Sequence, residues 1–372
     1  MTAYDDWLAE QVEAREVAGL TRRLTPFDPT GAVDLAGNDY LGLARHPEVI
    51  AGAVHAAEAF GAGAGASRLV TGTLTLHEEL EQALAAFTGS GAGLVFSTGY
   101  HANLSVLSAL VDDDTLVVSD AHVHASMIDG SRLARARVQV APHGDVDAVA
   151  ALLARRSERR ALVLTESIFS VLGDATPLTE LLAVCERHDA LLVVDEAHGL
   201  GVAGADGSGL ARHLSVDGHP HLLLTGTLSK SFGAQGGVVL GSRAIREQLV
   251  NRARPFIYDT GLAPAAAGAA LAALGVVRRE PERIARVNEV ARILADACGV
   301  EAPAGAVLAV PMPSPQEAVA AVEKAAADGV RIGCFRPPST PDGISRLRLT
   351  AHADLDDAHL EHATRVLQQV AP

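Results

Sequence analysis

Between Gly93 and Gly241 the chain alternates short apolar runs with stretches of helical periodicity, and this pattern constrains the fold more than any other feature. Leu94–Ser97, Thr115–Ser119, Arg137–Ala141, Ala161–Thr165, Ala190–Asp195, Leu222–Thr225 and Val238–Gly241 are predicted as strands. Tyr100–Val111, Val123–Ala134, Val146–Arg156 and Leu178–His188 are predicted as the helices between them. Such alternation demands an α/β fold: a mainly parallel sheet covered on both faces.

The flanks read differently. A helix is expected from about Ala3 to the stop at Gly19, another from Pro47 to Phe60, and a third from Thr75 to Phe87 with Thr75 and Glu78 at capping-box spacing. The Ala-rich run Ala263–Val277 reads as a packed helix, and helices dominate from Ser242 to Gly299. Beyond that, strands at Ala306–Val310, Val330–Gly333 and Arg346–Leu349 and helices at Pro315–Ala327 and Leu355–Val370 describe a smaller α+β domain. The expected division is an amino-terminal helix and arm (1–45), a large domain (46–270) and a small domain (271–372).

A length of 372 residues with 48% hydrophobic and 20% charged content suits a soluble globular enzyme rather than a disordered chain. The net charge of -15 disfavours nucleic acid and anionic membrane surfaces as partners. No apolar run reaches the length of a membrane span, and the amino terminus does not read as a signal peptide. Cys185, Cys298 and Cys334 form no C-x-x-C pair, so neither a disulfide framework nor a metal site is expected, and a reducing cytoplasm is the simplest setting.

Two features could mislead. Gly61-Ala-Gly63-Ala-Gly-Ala66 fits a dinucleotide fingerprint, but it neither follows a strand nor immediately precedes a helix. Asp112-Asp-Asp114 reads as a solvated turn. The chemistry lies elsewhere. The run Leu191–Asp195 ends in an acid, followed by Glu196-Ala197-His198-Gly199. An acid at the carboxyl end of a parallel strand stands where ligands bind in open α/β sheets. Lys230 follows Asp195 by 35 residues, within Gly226-Thr227-Leu228-Ser229-Lys230-Ser231-Phe232-Gly233. Each part is weak alone; their order and spacing are specific.

These segments, with Asn38-Asp-Tyr-Leu-Gly-Leu43, Gly99-Tyr-His-Ala-Asn103, His124-Ala-Ser126, Thr165-Glu-Ser-Ile-Phe-Ser170, Cys334-Phe-Arg-Pro-Pro-Ser339 and Arg346-Leu-Arg-Leu-Thr350, carry a resemblance. Over nearly its whole length the chain resembles the α-oxoamine synthases, a branch of the fold type I pyridoxal 5'-phosphate (PLP) enzymes. Within them it is most similar to the branch that forms 8-amino-7-oxononanoate for biotin. The resemblance implies a seven-stranded central sheet in a PLP-binding large domain, with a smaller α+β carboxyl-terminal domain.

It also implies roles. Lys230 would form an imine with the cofactor and then act as a base, which needs a lysine that is neutral part of the time. Asp195 would face the pyridine nitrogen and keep it protonated. His124 would stack on the ring, His198 would contact the phenolic oxygen or help position the imine, and Ser170 would touch the cofactor. Gly99 and Tyr100, opening a helix after a strand, would offer backbone donors to the phosphate, joined by Thr227, Ser229 and, from the neighbouring subunit of a homodimer, Thr260. Arg348 with Asn38 would bind the amino-acid carboxylate, with Arg346 as the competing assignment. Arg22 (or Arg23) and Ser339 would reach the acyl substrate.

The implied reaction is condensation of L-alanine with a pimeloyl thioester. The acyl carrier, coenzyme A or acyl carrier protein, stays open. Glycine acetyltransferase, 5-aminolevulinate synthase and serine palmitoyltransferase share the chemistry and are the near alternatives; a non-catalytic protein keeping the fold is the distant one. Two positions depart from the family pattern. Leu172 stands where an Asp is common, and Thr21 falls near the family's arginine after the first helix.

Overall fold

The computed structural model describes residues 2–17, 21, 22, 24, 26, 31–337 and 340–372. The chain divides into two compact units, Met1–Ala32 and Val33–Pro372. The first contains the helix Ala3–Val17, which buries no residue. Its start is fixed by the Asp5 carboxylate, which accepts from the Thr2 amide at 2.7 Å. Gly19, its expected stop, lies outside the described residues.

The second unit carries the strands: β1 (Val33–Leu35), β2 (Ala92–Phe96), β3 (Thr115–Asp120), β4 (Arg137–Ala141), β5 (Arg160–Glu166), β6 (Leu191–Asp195), β7 (Leu222–Thr227), β8 (Gly237–Gly241), β9 (Val307–Pro311), β10 (Val330–Phe335) and β11 (Arg346–Thr350). Seven form one sheet in the order β2-β8-β7-β6-β5-β3-β4. Only β8 runs against the rest, pairing antiparallel with both β2 and β7. The predicted seven-stranded, mainly parallel α/β sheet is therefore what the chain forms.

Strand periodicity sorts the apolar side chains to two faces. Val117, Leu162, Leu164, Val193, Leu223 and Val239 pack into one buried cluster. Leu116, Val118, Val163, Leu192, Val194, Leu224 and Leu240 pack into the other. A sheet buried on both faces explains why β5–β7 read as nearly continuous hydrophobic runs. The polar ends of those strands, Glu166, Asp195 and Thr227, lie at the carboxyl ends of three adjacent central strands.

The Ala/Gly-rich run is the helix Pro264–Arg279, packed on Pro47–Phe60. The packing is backbone to backbone: a Cβ on Gly268 would lie 2.5 Å from the Gly52 carbonyl oxygen. The helix Thr75–Thr88 starts one turn feature away from the expected capping box. Leu74 is the N-cap, and the side chain that reaches back is His77, whose Nδ1 accepts from the Leu74 amide at 3.1 Å. Thr75 and Glu78 are thus not the capping pair, because the helix already includes Thr75.

A second sheet has the order β1-β10-β11-β9. The short β1, not foreseen from sequence, pairs parallel with β10 through Val33 opposite Val330. This strand brings Asn38–Tyr40 beside β11, since the Ala353 amide donates to the Tyr40 carbonyl at 2.8 Å. No helix among the described residues is long and apolar enough to cross a membrane.

Candidate active site

The carboxyl ends of β5, β6 and β7 carry the site. β6 delivers Asp195, whose Oδ1 accepts from the Ala197 amide at 2.9 Å. Its Oδ2 accepts from Asn103 Nδ2 at 2.8 Å. Asn103 comes from the helix Gly99–Leu110 and also donates to Ser126 Oγ at 2.9 Å. The Ser126 hydroxyl then lies 2.7 Å from His124 Nδ1. The Ser126 amide also points at that nitrogen (3.3 Å), so Nδ1 is the acceptor and the ring is oriented as its Nε2–H form. Asn103, Ser126 and the Ala197 amide therefore set two predicted residues, Asp195 and His124, in one rigid network.

Lys230 stands on the turn after β7. Its Nζ lies 2.8 Å from Nε2 of the enclosed His198. Burial, opposed by Asp195 and Glu166, lowers the lysine to about 8. Burial, then the Lys230 and Arg348 charges, pushes His198 well below its ordinary range, so the imidazole is neutral. Burial also lowers His124. On the other side of His198, Nδ1 lies 2.7 Å from the Tyr40 hydroxyl. That hydroxyl lies 3.1 Å from Asn38 Oδ1.

Arg348 donates from Nε to the Ser170 carbonyl at 2.7 Å and from Nη1 and Nη2 to Asn38 Oδ1 at 3.4 and 3.3 Å. Arg346, its rival, is held by the Asp342 carboxylate and the Ile344 carbonyl instead. Both arginines sit on β11, but only Arg348 meets Asn38. Ser170 is fixed in turn: its amide donates to Glu166 Oε2 at 2.9 Å.

Thr227 and Ser229 face each other, hydroxyl to hydroxyl, at 2.7 Å. Gly99 lies against Thr227, since a Cβ there would be 3.0 Å from the threonine Cβ. The helix Gly99–Leu110 makes its first bond from the Ala102 amide to the Thr98 carbonyl, so the amides of Gly99 and Tyr100 lie ahead of it. The exposed Tyr100 ring sends its hydroxyl to Asp129 Oδ2 at 2.8 Å. Thr260 bridges to Ser67, next to Asp259, whose carboxylate accepts from the Ser97 hydroxyl at 2.5 Å. Arg22 belongs to the amino-terminal unit, and Arg23 and Ser339 lie outside the described residues.

Four participants carry no assigned role in the sequence reading: Tyr40, Asn103, Ser126 and Glu166. All sit inside the quoted motifs, but only the folded chain shows what each touches. A primary amine with a lowered pKa, a buried acid with two oxygens, an imidazole, paired hydroxyls and a helix start make a donor set. It fits a ligand with an aldehyde, a basic ring nitrogen and a phosphate.

Residues 30–367 match the aminotransferase class I and II family. The chain is 55% identical over 366 residues to the 8-amino-7-oxononanoate synthase of Mycobacterium avium (strain 104), covering 98% of this chain and 96% of the relative. The chain belongs to the α-oxoamine synthase family. Among solved structures, a serine palmitoyltransferase with a PLP internal aldimine matches with a TM-score of 0.90 at 30% identity, covering 99% of this chain and 97% of that one. The 8-amino-7-oxononanoate synthase of Francisella tularensis matches with a TM-score of 0.78 at 25% identity, covering 92% and 98%. The family's fold type I architecture is the one seen in the sheet order above.

Proposed function

We propose that this α-oxoamine synthase is PLP-dependent and condenses L-alanine with a pimeloyl thioester, giving 8-amino-7-oxononanoate, CO₂ and the free carrier thiol. The observation that carries this reading is the contact between Lys230 Nζ and His198 Nε2 at 2.8 Å, with Asp195 fixed by Asn103 at the end of β6. The 55% identity to an 8-amino-7-oxononanoate synthase favours this branch over serine palmitoyltransferase, at 30%.

Lys230 would hold the cofactor covalently, Asp195 its ring nitrogen, His124 the ring and His198 its phenolic side. Thr227, Ser229 and the amides of Gly99 and Tyr100 would hold the phosphate, with Ser170 as a further contact. The bound cofactor supplies the electron sink that stabilises charge at the substrate carbon.

The chain's own residues do the rest. Arg348, already oriented by the Ser170 carbonyl and Asn38, presents a planar fork to the alanine carboxylate. With its amine lowered to about 8, Lys230 Nζ is partly neutral near neutral pH and can accept the alanine Cα proton. His198 Nε2 accepts a hydrogen bond from the resulting ammonium. Release of the carboxylate as CO₂ leaves Lys230 Nζ positioned to return the proton.

The remaining expectations are consistent with this reading. Thr260, which bridges to Ser67, would serve the partner's phosphate site in a homodimer. Arg22 and Ser339 would meet the acyl chain, on either coenzyme A or acyl carrier protein. The cytoplasm supplies both carriers. Residues 46–270 would form the cofactor domain and 271–372 the small domain.

The absorbance spectrum tests the cofactor assignment. The purified protein should bind added PLP with a visible band, and Lys230→Ala should abolish that band while leaving the protein folded. A protein whose spectrum ignores PLP would end this reading.

A further inference from the structure

Between β5 and the helix Leu178–Arg187 the chain folds back as a hairpin. Ile168 bridges antiparallel to Ala175. The Phe169 amide donates to the Asp174 carbonyl at 2.9 Å, and the Gly173 amide donates to the Phe169 carbonyl at 2.9 Å. Ser170 begins the turn, and its carbonyl is the acceptor for Arg348 Nε. His143, just after β4, grips this hairpin from outside the site. Its Nε2 donates to Asp174 Oδ2 at 2.9 Å. Its ring stands edge-on to the buried Phe169 ring, with 4.3 Å between centroids. One imidazole thus touches both arms of the hairpin.

The other side of the imidazole is fixed to the sheet. Its Nδ1 donates to Asp120 Oδ1 at 3.0 Å, at the carboxyl end of β3. Asp120 is itself held: Oδ1 accepts from the His122 amide at 2.7 Å and Oδ2 from the Gly144 amide at 2.8 Å. The His122 ring lies against His143, with 4.4 Å between centroids. Two carboxylates accepting from one imidazole require a proton on each nitrogen. The bonds to Asp120 and then to Asp174 raise His143 to about 10, so the cation is present at neutral pH. Asp174 is the one charged residue between Ile168 and Ala175, so the hairpin has no second ion pair to replace this one.

We propose that His143 is a positioning residue for the amino-acid site: by clamping the 168–175 hairpin to the end of β3, it sets the Ser170 carbonyl that orients Arg348. The proposal rests on the functional reading above, in which Arg348 receives the alanine carboxylate. A carbonyl bonded to Nε fixes the plane of the guanidinium fork. A hairpin that drifts turns that fork away from the carboxylate, and small misplacements from a distant change are costly. Other anchors hold the hairpin elsewhere. The Ser170 amide donates to Glu166 Oε2, and the Ala304 amide donates to the Gly173 carbonyl. Loss of His143 therefore loosens the hairpin rather than unfolding it.

His143→Ala and Asp174→Ala each break the clamp, and Asp174 is half exposed, so its truncation spares the core. In the holoenzyme, KM for alanine at saturating pimeloyl thioester should rise about 3- to 10-fold in each, with kcat within about threefold. The double variant should match His143→Ala, because both changes break one contact. Arg160→Ala removes an ion pair with Asp112 at the opposite end of β5 and should leave KM within about twofold. A purely structural role would lower the thermal midpoint without moving KM, or would move KM as much in Arg160→Ala. Hydrogen exchange of residues 167–176 in the holoenzyme reads the clamp without turnover. Both clamp variants should speed it about tenfold or more, with β6 exchanging as in the parent. Unchanged exchange, unchanged KM or additive effects in the double variant would overturn the proposal. A parent that turns over no alanine would sink the functional reading alone, and the hairpin exchange would still decide the clamp.

Discussion

Glu166 and Asp195 end adjacent parallel strands directly opposite each other, and both carboxyl groups are buried. Two buried acids side by side cannot both ionise cheaply. Burial, and then the Asp195 charge, raises Glu166 to about 8. Between its ordinary value of 4.5 and about 8, the folded chain binds a proton here that the unfolded chain releases. The contribution of Glu166 to stability therefore falls as pH rises through that window. Glu166→Gln resembles the protonated acid. From pH 6 to 9 it should gain roughly 2 to 3 kcal/mol relative to the parent in urea denaturation. Parallel pH profiles would show that Glu166 is already ionised at pH 6.

His143 bridges two acids that β3 and the loop after β5 bring to one place. Its Nδ1 lies 3.0 Å from Asp120 and its Nε2 2.9 Å from Asp174. Binding a carboxylate at both nitrogens needs the imidazolium, and these bonds raise His143 to about 10. Its stabilising contribution is full below its ordinary value of 6.5 and is lost as pH rises through about 10. Asp174 is half exposed, so solvent screens part of this. His143→Ala should cost about 1 to 2 kcal/mol at pH 6 and distinctly less at pH 10.5. A cost independent of pH would mean that packing on Phe169, not charge, gives His143 its role.

Arg348→Lys keeps the charge but loses the fork and the Nε bond to the Ser170 carbonyl. KM for alanine should rise roughly tenfold or more, with a smaller change in kcat. An unchanged KM for alanine, measured at saturating thioester, would move the carboxylate site elsewhere.

Gly237 allows β8 to run against the start of the helix Gly99–Leu110. A Cβ there would lie 2.2 Å from the Thr98 carbonyl oxygen and 2.6 Å from Gly99 Cα. Both are backbone atoms that cannot step aside. Gly237→Ala should cost about 1 to 3 kcal/mol in stability and weaken PLP binding, by displacing the amides of Gly99 and Tyr100. Equilibrium PLP titration of the variant measures the second effect; unchanged binding would remove that helix start from the phosphate site.

The sheet was legible because β5 to β7 are buried on both faces and so read as unbroken apolar runs. Lys230, Asp195 and His198 were legible because their order and spacing carry the family resemblance. β1 was not, since three residues give no periodicity. The capping of Thr75–Thr88 was misread because His77 does what Glu78 was expected to do. His143 was silent for a different reason: its partners lie 23 residues before it and 31 after it, and only the strand order joins them. Tyr40 was visible within its motif, but not the contacts of its hydroxyl with His198 and Asn38. No sequence pattern records them.

Steady-state turnover with alanine or glycine, each offered with pimeloyl-CoA and pimeloyl acyl carrier protein, tests the central claim most directly. Alanine with at least one pimeloyl carrier should release CO₂ and form 8-amino-7-oxononanoate, and Lys230→Ala should form none. Turnover confined to glycine, or undiminished in Lys230→Ala, would contradict the account.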